Sequence, residues 1–506
     1  MMAALAGLQR GFRLRRTLRS RCSPGESRGD RKGSSRGVLL RGSALACLAI
    51  PAIAQAQQTL TVIPGDSSPL TLAACIEQAR EHNETLRAEQ LRMGEVRALI
   101  TQSISEAFPT IDASGTWNRS RDPSFALDET FSGDAADFGG PDSLFAGFLP
   151  EPEQIPAQTF WRASVNATWD IRPGRIYNAL HAIGSGISQQ REAIVETEQF
   201  LAEEVMRAYS SVFLAAERES ALVEEATARQ ELLEIARRRL RVELGTPLDT
   251  LQAAVSLANL RPEIRQARQS VQDAGGELNV LMGRDPSAPL ALRGEPELEQ
   301  GDLDPGQFEE RIGERPDLRR REYEIEVLRR TRGARKALHH PYLSMDGSYG
   351  YVGRDISSMT DPGHDFWSAR IGLVVPLFDG MLTRGQVKET EAQIARARVE
   401  LSQAQRDALR GAVSLHGRWM AARQSLAAAE LNERLAEEAL EETQKRYELG
   451  KADYLAVLNA QAERHRARSN AIEARHEVVT SLASLKRALG FDPRTSLAEI
   501  EREMEE

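Results

Sequence analysis

The sequence predicts a mainly α-helical chain with a small β part, built as a two-fold internal repeat. Two long segments, from about Ile176 to Arg241 and from about Met381 to Tyr447, contain no proline, and aromatic residues make up only 5% of the chain. Both features are typical of long helices rather than of compact cores. Four shorter segments alternate between apolar and polar residues, which is the period of a strand.

The first 56 residues differ in composition from the rest of the 506-residue chain. They hold 11 Lys and Arg against 2 Asp and Glu, so the remainder carries 54 basic and 72 acidic side chains, a net charge of −18. A basic region, an apolar stretch from Val38 to Ile53 and the small-residue site Ala54-Gln55-Ala56 predict a signal segment over 1–56, and therefore export. The acidic remainder argues against nucleic acid as a partner.

Two features of this segment leave alternatives open. Initiation near Val38 instead of Met1 would give a signal segment of ordinary length. Cys47 resembles a lipoprotein acylation site, although the later Ala-x-Ala site fits cleavage better. Cleavage after Ala56 would leave Cys75 as the remaining cysteine, which excludes an intramolecular disulfide.

Corresponding motifs occur in both halves of the chain in the same order. The pairs, with their offsets in residue number, are Asn83-Glu84-Thr85-Leu86-Arg87 with Arg315-Pro316-Asp317-Leu318-Arg319 at 232, Phe160-Trp161 with Phe366-Trp367 at 206, and Asp285-Pro286 with Asp492-Pro493 at 207. Such a long period indicates a duplicated domain rather than a solenoid. We expect a first repeat over 57–283, a linker over 284–308, a second repeat over 309–493 and a C-terminal tail over 494–506.

Each repeat contains two predicted strands, at 109–117 and 159–170 and at 341–352 and 366–378. In 159–170, for example, Trp161, Val165 and Trp169 fall on one face and polar residues on the other. An apolar face with aromatic residues at both ends is typical of strands that contact lipid outside and water inside. The expected aromatic girdle residues are Trp117, Trp161, Trp169, Tyr349, Tyr351 and Trp367.

A soluble antiparallel sheet with one buried face alternates in the same way and is the alternative interpretation. Tryptophan at both ends of one face, together with export, favours the membrane. Four strands cannot close a barrel, because small membrane barrels need at least about eight. Open edges in lipid would leave backbone groups unpaired. Several chains must then contribute strands, and the strand count by itself leaves a dimer or a trimer open.

The long helical segments show small and aliphatic residues at spacings of three and four, as in a coiled coil. Each ends at a glycine-containing turn, Leu244-Gly245-Thr246-Pro247 or Leu449-Gly450-Lys451-Ala452, after which a shorter helix returns along the long one. Pro262 should kink the first returning helix. The segment 118–158 is rich in Pro, Gly and acidic residues and predicts an extracellular loop.

No sequence motif of an enzyme or cofactor site is found. The chain lacks H-E-x-x-H, a P-loop, C-x-x-C and G-x-S-x-G, so we expect neither catalysis nor a cofactor. His339-His340 could be metal ligands, but they precede Pro341 at a helix-to-strand junction. A mean hydropathy of −0.42, without a run of about 18 apolar residues, excludes a protein that crosses the membrane with several helices.

These motifs together resemble the TolC-like outer-membrane efflux channel family over residues 70–493. The most specific is Arg446-Tyr447-x-x-Gly450-x-x-Asp453-Tyr454-Leu455-x-x-Leu458-Asn459-Ala460-Gln461. The resemblance implies a homotrimer with a twelve-stranded barrel in the outer membrane and a coiled-coil tunnel through the periplasm. It also implies docking to a periplasmic adaptor and an inner-membrane pump.

In that family the turn between the long and the returning helix forms a closed iris. Carried over to this chain, the pore constriction would comprise Tyr447, Asp453, Leu455 and Asn459. Family members commonly have an aspartate where this chain has Asn459, and the repeat equivalent Gln252 is also neutral, so Asp453 or Asp249 would supply the charge. Like charges at one constriction repel and attract cations. Alternatively, both aspartates cap the returning helices.

The sequence therefore predicts a passive exit duct of a tripartite efflux or export system, opened by an adaptor and energised by a partner pump. One alternative is a secreted coiled-coil scaffold or adhesin with a small soluble sheet. Another, within the channel class, is a type I protein-secretion duct. The residues leave open whether the cargo is a drug, a metal or a protein.

Overall fold

The computed structural model describes residues 59–64, 68–120, 157–243, 245–357, 359 and 361–505. The predicted signal segment 1–56, with Cys47, and most of the predicted loop 118–158 lie outside the described residues.

The described part is mostly helical. In chain order its elements are β1 (Thr59–Ile63), α1 (Leu72–His82), α2 (Glu84–Ser105), β2 (Thr110–Ser120), β3 (Gln158–Ile171), α3 (Pro173–Arg241), α4 (Pro247–Leu281), β4 (Leu290–Arg293), α5 (Phe308–Ile312), α6 (Pro316–Lys336), β5 (Tyr342–Gly353), β6 (Asp365–Val374), α7 (Leu382–Glu448), α8 (Tyr454–Ala488) and α9 (Leu497–Glu505), with short 3-10 turns at Pro305–Gln307 and Ala337–His339.

The two longest helices, α3 and α7, set the dimensions of the described part. They contain 69 and 67 residues, so each is about 100 Å long at a rise of 1.5 Å per residue. Helix α3 contacts α2 at Gln190 and α6 at Glu196, and farther along it contacts α8 at Arg218 and α4 at Arg229. Helix α7 packs against α6 and then α8. The helices thus form a layer ordered α2-α3-α6-α7 near the strands and α4-α3-α8-α7 near the turns.

The four long strands form one antiparallel sheet in the order β2-β3-β5-β6. Strands β2, β3 and β5 begin and end within a few residues of the predicted bounds. The last ends at Val374, although we predicted that it would continue to residue 378. Pro376 has no backbone N–H and cannot extend a ladder of hydrogen bonds, which accounts for the earlier end.

The segment predicted as a linker, 284–308, contains a strand. Strand β4 pairs antiparallel with β1, which the sequence did not indicate. The predicted tail contains a helix, α9, whose Leu497 and Ile500 are buried. Both findings have one cause: short elements of four to nine residues are stabilised by contacts with distant parts of the chain rather than by a local pattern.

Buried apolar side chains form three clusters along the helices. One joins α1, α3 and α4 to the small sheet around Tyr209 and Leu278. Another joins α5, α7, α8 and α9 around Trp419. The third lies near the turns, where all four helices of that region contribute, with Tyr447 and Val457 among its members. In the part of the chain that the structure describes, no helix combines the length and the hydropathy that a membrane crossing needs.

Replacing Gly275 by alanine should destabilise the fold, because the added methyl group would collide with β1. A Cβ there would lie 2.5 Å from Val62 Cγ1, and relieving such a contact costs about 1–3 kcal/mol. The matched control is Gly411→Ala in α7, where a Cβ would have no atom within 4 Å and gains about 1 kcal/mol of helix propensity. Thermal unfolding followed by far-UV circular dichroism should show midpoints that move in opposite directions. Equal shifts for the two variants would contradict this packing.

Candidate membrane-facing sheet and helix turns

The register of the sheet brings the predicted apolar residues of all four strands onto one face. Trp117 lies opposite Trp161 across β2 and β3, and their rings are 6.3 Å apart. Val165 lies opposite Tyr349, which in turn lies opposite Trp367. Because odd-numbered residues pair with odd-numbered residues across all four strands, the apolar residues that alternate along each strand form one continuous apolar face.

This apolar face is open to the surroundings of the single chain. Ile111, Trp367 and Leu373 are 71%, 74% and 71% exposed. A soluble sheet would cover such a face with other elements, and exposed apolar patches of this kind mark contacts with lipid or other proteins. The observation argues against the soluble-sheet alternative. Trp169, which we expected in the aromatic girdle, is half-buried on the same face.

The opposite face of the sheet is lined by hydrogen-bonded polar side chains. Asn166 donates to Asp112 at 3.1 Å and to Ser114 at 3.2 Å, and the Thr110 and Thr168 hydroxyls are 2.7 Å apart. Near the other end of β3, the Arg162 guanidinium lies 4.9 Å from the ring centre of Phe366. Polar groups that pair with one another and remain accessible suit contact with water. The sheet therefore has one face for apolar surroundings and one for water.

At the far end of the helices, both candidate aspartates take part in capping the returning helices, Asp453 just before α8 and Asp249 within the first turn of α4. Asp453 accepts a hydrogen bond from the backbone N–H of Ala456 at 2.9 Å. Asp249 and Thr246 form a reciprocal capping box with distances of 3.2 and 3.1 Å. Capping occupies one carboxylate oxygen with a backbone donor and does not remove the charge. The geometry at both turns is therefore that of helix capping. The capped carboxylates can still contribute negative charge to a constriction.

The two turns differ in the residue that adopts the left-handed conformation. After α7 this residue is Gly450, with a φ of 72°. After α3 it is Glu243, with a φ of 59°, whereas we expected Gly245 to supply the turn. Glu243 is the repeat equivalent of Gly450 at the offset of 207. Both turns therefore contain a left-handed residue at the corresponding position, although the first turn lacks the glycine that adopts this conformation without strain.

The remaining candidate constriction residues divide into buried and exposed ones. Tyr447 is buried, with the Arg239 guanidinium 4.4 Å from its ring centre and the Tyr454 ring 6.0 Å away. Burial, and next the charge of Asp249, raise the pKa of Tyr447 above its usual value. Leu455, Asn459 and Gln252 are exposed on the returning helices. The structure thus buries Tyr447 between the two hairpins and leaves Leu455, Asn459 and Gln252 exposed.

Charged residues that the sequence did not single out connect the two helical hairpins. Glu203 of α3 is buried and bonds to Arg487 and, at 2.6 Å, to Ser484 of α8. Further along, the buried Glu225 bonds to Arg229 at 2.7 Å and lies 3.6 Å from Arg464 of α8. The sequence contains a sign of these residues, because both glutamates interrupt apolar helix faces. Their partners in α8 lie more than 200 positions away and could not be assigned from the sequence.

The junction between helices and strands offers little support for a metal at His339-His340. The ring of His339 lies 3.8 Å from Asp379, and that of His340 lies near Gly174. Among the described residues, no group of three or more His, Cys, Asp or Glu side chains could hold a metal ion.

Long helical hairpins attached to a sheet with one apolar and one polar face define the class of outer-membrane channel components. The model of the family described as outer membrane efflux protein matches residues 75–284 and 309–491. The chain belongs to this family, which confirms the resemblance drawn from its motifs, and its location is the outer membrane. The family consists of channel proteins rather than enzymes.

Two relatives and a solved structure illustrate the similarity. The chain is 26% identical over 423 residues to the outer membrane protein OprJ of Pseudomonas aeruginosa, covering 83% of this chain and 84% of OprJ. It is 22% identical over 431 residues to the cation efflux system protein CusC of Escherichia coli O157:H7, covering 82% and 85%. The CmeC outer membrane channel of Campylobacter jejuni has the same fold, with a TM-score of 0.69 at 16% identity over 86% of this chain and 89% of CmeC.

The orientation of the sheet predicts opposite outcomes for two neighbouring substitutions in β3. Val165 is exposed on the apolar face and Ser164 lies on the polar face. Val165→Arg should reduce the amount of protein in the outer membrane, because arginine on a lipid-facing strand costs about 2–4 kcal/mol at the bilayer midplane. Ser164→Arg places the same side chain at the same depth on the watery face and should be tolerated. Membrane fractionation with immunoblotting measures both, and equal loss for the two variants would contradict the assigned faces.

Proposed function

We propose that this protein is the passive exit duct of a tripartite efflux system, in which three copies close one twelve-stranded barrel and one helical tunnel. The observation that carries the proposal is a sheet with one exposed apolar face, whose edge strands β2 and β6 each pair on one side within the chain. In lipid, unpaired backbone groups cost several kcal/mol each, so the edges need partners. Three copies supply twelve strands, within the range of known membrane barrels.

The alternation of strand directions is compatible with this closure. The order β2-β3-β5-β6 is antiparallel throughout, so β2 and β6 run in opposite directions. Strand β6 of one copy can therefore pair antiparallel with β2 of the next, and the ring closes by repeating one contact. The polar sheet faces then line a water-filled exit, and the helical layers continue it as a tunnel through the periplasm.

A passive duct needs an energy source and a means of opening from outside the chain. The sequence has no nucleotide-binding motif through which the chain could use ATP. We therefore assign the energy to an inner-membrane pump and the opening to a periplasmic adaptor that docks at the helix turns. CusC carries cation efflux in its name; here the pump would choose the cargo, since a wide watery duct need not recognise it.

Within the duct, the constriction would lie at the turns, with Tyr447, Asp453, Leu455 and Asn459 of one hairpin and Asp249 and Gln252 of the other. The exposed positions of Leu455 and Asn459 support a lining role. Buried Tyr447 fits a role in holding the two hairpins together through its contact with Arg239. A capped but charged Asp453 would place three carboxylates around the axis of a trimer.

Conductance in planar bilayers tests the duct and its constriction together. The purified wild-type protein should behave as a trimer in detergent and form channels of small conductance. The double variant Asp453→Ala and Leu455→Ala should conduct severalfold more, because it removes both the charge and the apolar side chain from the lining.

The single change Asp453→Asn separates charge from helix capping, since asparagine keeps the capping oxygen whose loss costs about 1 kcal/mol. It should lower cation preference without lowering the unfolding temperature. An unchanged conductance in the double variant would remove these residues from the constriction. A monomeric, soluble wild-type protein that forms no channels would refute the duct itself.

A further inference from the structure

One arginine on the polar face of the sheet has an aromatic ring rather than a carboxylate as its partner. The guanidinium of Arg162 in β3 lies 4.9 Å from the ring centre of Phe366 in β6. Among the residues that the structure describes, no Asp or Glu oxygen lies within ion-pair distance of this guanidinium. An aromatic ring attracts a guanidinium through its quadrupole and does not neutralise its charge. Arg162, which is exposed, therefore presents a full positive charge on the polar face.

The sheet leaves room for Arg162 to reach Phe366 across an intervening strand. Strand β5 lies between β3 and β6, and since neighbouring strands are about 4.8 Å apart, the strands of the two residues are about 10 Å apart. Between them, Gly350 of β5 pairs with Ser164 on one side and with Phe366 on the other. A Cβ at Gly350 would collide with the carbonyl oxygen of Ala163. Because glycine has no side chain, the space above β5 stays open for the guanidinium.

The other charged residues of the polar face lie nearer the helices. Even-numbered residues of the strands form this face. Besides Arg162, its charged members within the four strands are Asp112, Asp170, Asp346 and Arg370. Strand β3 runs from Gln158 to Ile171, close to the start of α3, so Arg162 lies near the end that is remote from the helices. The half of the face beside the helices thus has three carboxylates and one guanidinium, and Arg162 is the charged strand residue of the other half.

A trimer repeats Arg162 three times around one axis and at one height. In the proposed duct the polar faces line the barrel, and the threefold symmetry places equivalent residues in a ring. The interior of a barrel of about eight strands is filled by side chains, whereas a barrel of about sixteen leaves an aqueous channel. A twelve-stranded barrel lies between these cases, so side chains as long as arginine extend far toward its axis. Three Arg162 guanidiniums therefore narrow the outer end of the barrel, remote from the helices.

We propose that Arg162, positioned by Phe366, forms an anion-binding ring at the outer end of the duct. This inference rests on the proposed function and adds a binding site at the end opposite to the helix turns. Its ligands are molecules with carboxylate or phosphate groups, because the planar guanidinium matches their paired oxygens. Rings of Arg or Lys select anions in pores, as rings of Asp or Glu select cations.

The charge of the barrel lining changes sign along the path of the cargo. Anionic cargo that has passed the acidic half beside the helices is attracted toward the exit by the Arg162 ring. Cations that approach from outside meet a positive ring first. The site is open to water, so bound anions dissociate readily, which a conducting path requires.

Substitutions at Arg162 in the full-length trimer test the ring in planar bilayers. Arg162→Gln removes the charge, and Arg162→Lys keeps it. The matched control is Arg119→Gln in β2, which removes the same charge near the same end of the sheet but from its opposite face. The reversal potential in a KCl gradient measures ion preference. The citrate concentration that halves the current measures anion binding with a small tricarboxylate probe.

The Arg162→Gln channel should bind citrate less tightly and prefer cations more than the wild type. The citrate concentration for half block should rise about fivefold, as expected for the loss of exposed ion pairs, and the reversal potential should move toward that of K⁺. Arg162→Lys and Arg119→Gln should stay close to the wild type in both measurements.

Phe366→Leu tests the positioning role, since it removes the aromatic ring and keeps every charge. Its citrate concentration for half block should rise about twofold, because the guanidinium loses its cation–π contact. The reversal potential should stay close to that of the wild type. Unchanged citrate block in this variant would show that Phe366 does not position Arg162.

The outcomes separate the ring from the duct itself. Trimeric Arg162→Gln channels that match the wild type in both measurements would overturn the ring while the duct stands. Equal effects of Arg162→Gln and Arg119→Gln would also overturn it, because total charge rather than position would then explain the result. A monomeric wild-type protein that forms no channels would defeat the proposed function and this site together.

Discussion

Backbone hydrogen bonding at the edges of the four-stranded sheet is the constraint on which the rest of the structure depends. Strands β2 and β6 each pair on one side within the chain, and the apolar face between them is exposed. The apolar face suits contact with lipid, but the unpaired backbone groups at the two edges cannot persist there in one copy. The helical layer repeats the same geometry, since α2 and α7 at its ends each pack against one neighbouring helix of the layer within the chain. Sheet and helices thus describe one segment of a closed ring, and the duct proposed here follows from completing it.

Within the chain, buried charged side chains join the two helical hairpins to each other. Contacts between α3 and α8 include the buried carboxylates of Glu203 and Glu225 with arginines of α8, and His476, whose pKa burial lowers, bonds to Ser210 at 2.8 Å. Such buried ion pairs contribute little net stability but are costly to break on one side only. The main effect of these ion pairs is therefore to select one alignment of the two hairpins, and their contribution to the stability of the fold is small.

Several features of the turns were predictable and others were not. The alternation of residues around Trp161 and Val165 was sufficient to predict a strand and its faces, because a period of two is a local property. The capping role of Asp453 followed from its place before a helix. The left-handed Glu243 was not expected, since glutamate gives no sign of that conformation; only its equivalence to Gly450 in the repeat could have revealed it. The sequence likewise gave no sign that Tyr447 would be buried against Arg239.

The sequence by itself determined the periodic features: helices of about 100 Å, four amphipathic strands and the family to which the chain belongs. These are encoded in residues that lie close together along the chain, where spacing alone specifies a face. Only the tertiary structure decided the pairing of β1 with β4, the packing of α9 and the partners of Glu203 and Glu225. Those contacts join segments separated by as many as 284 residues, and no local pattern specifies which distant surface a side chain will meet.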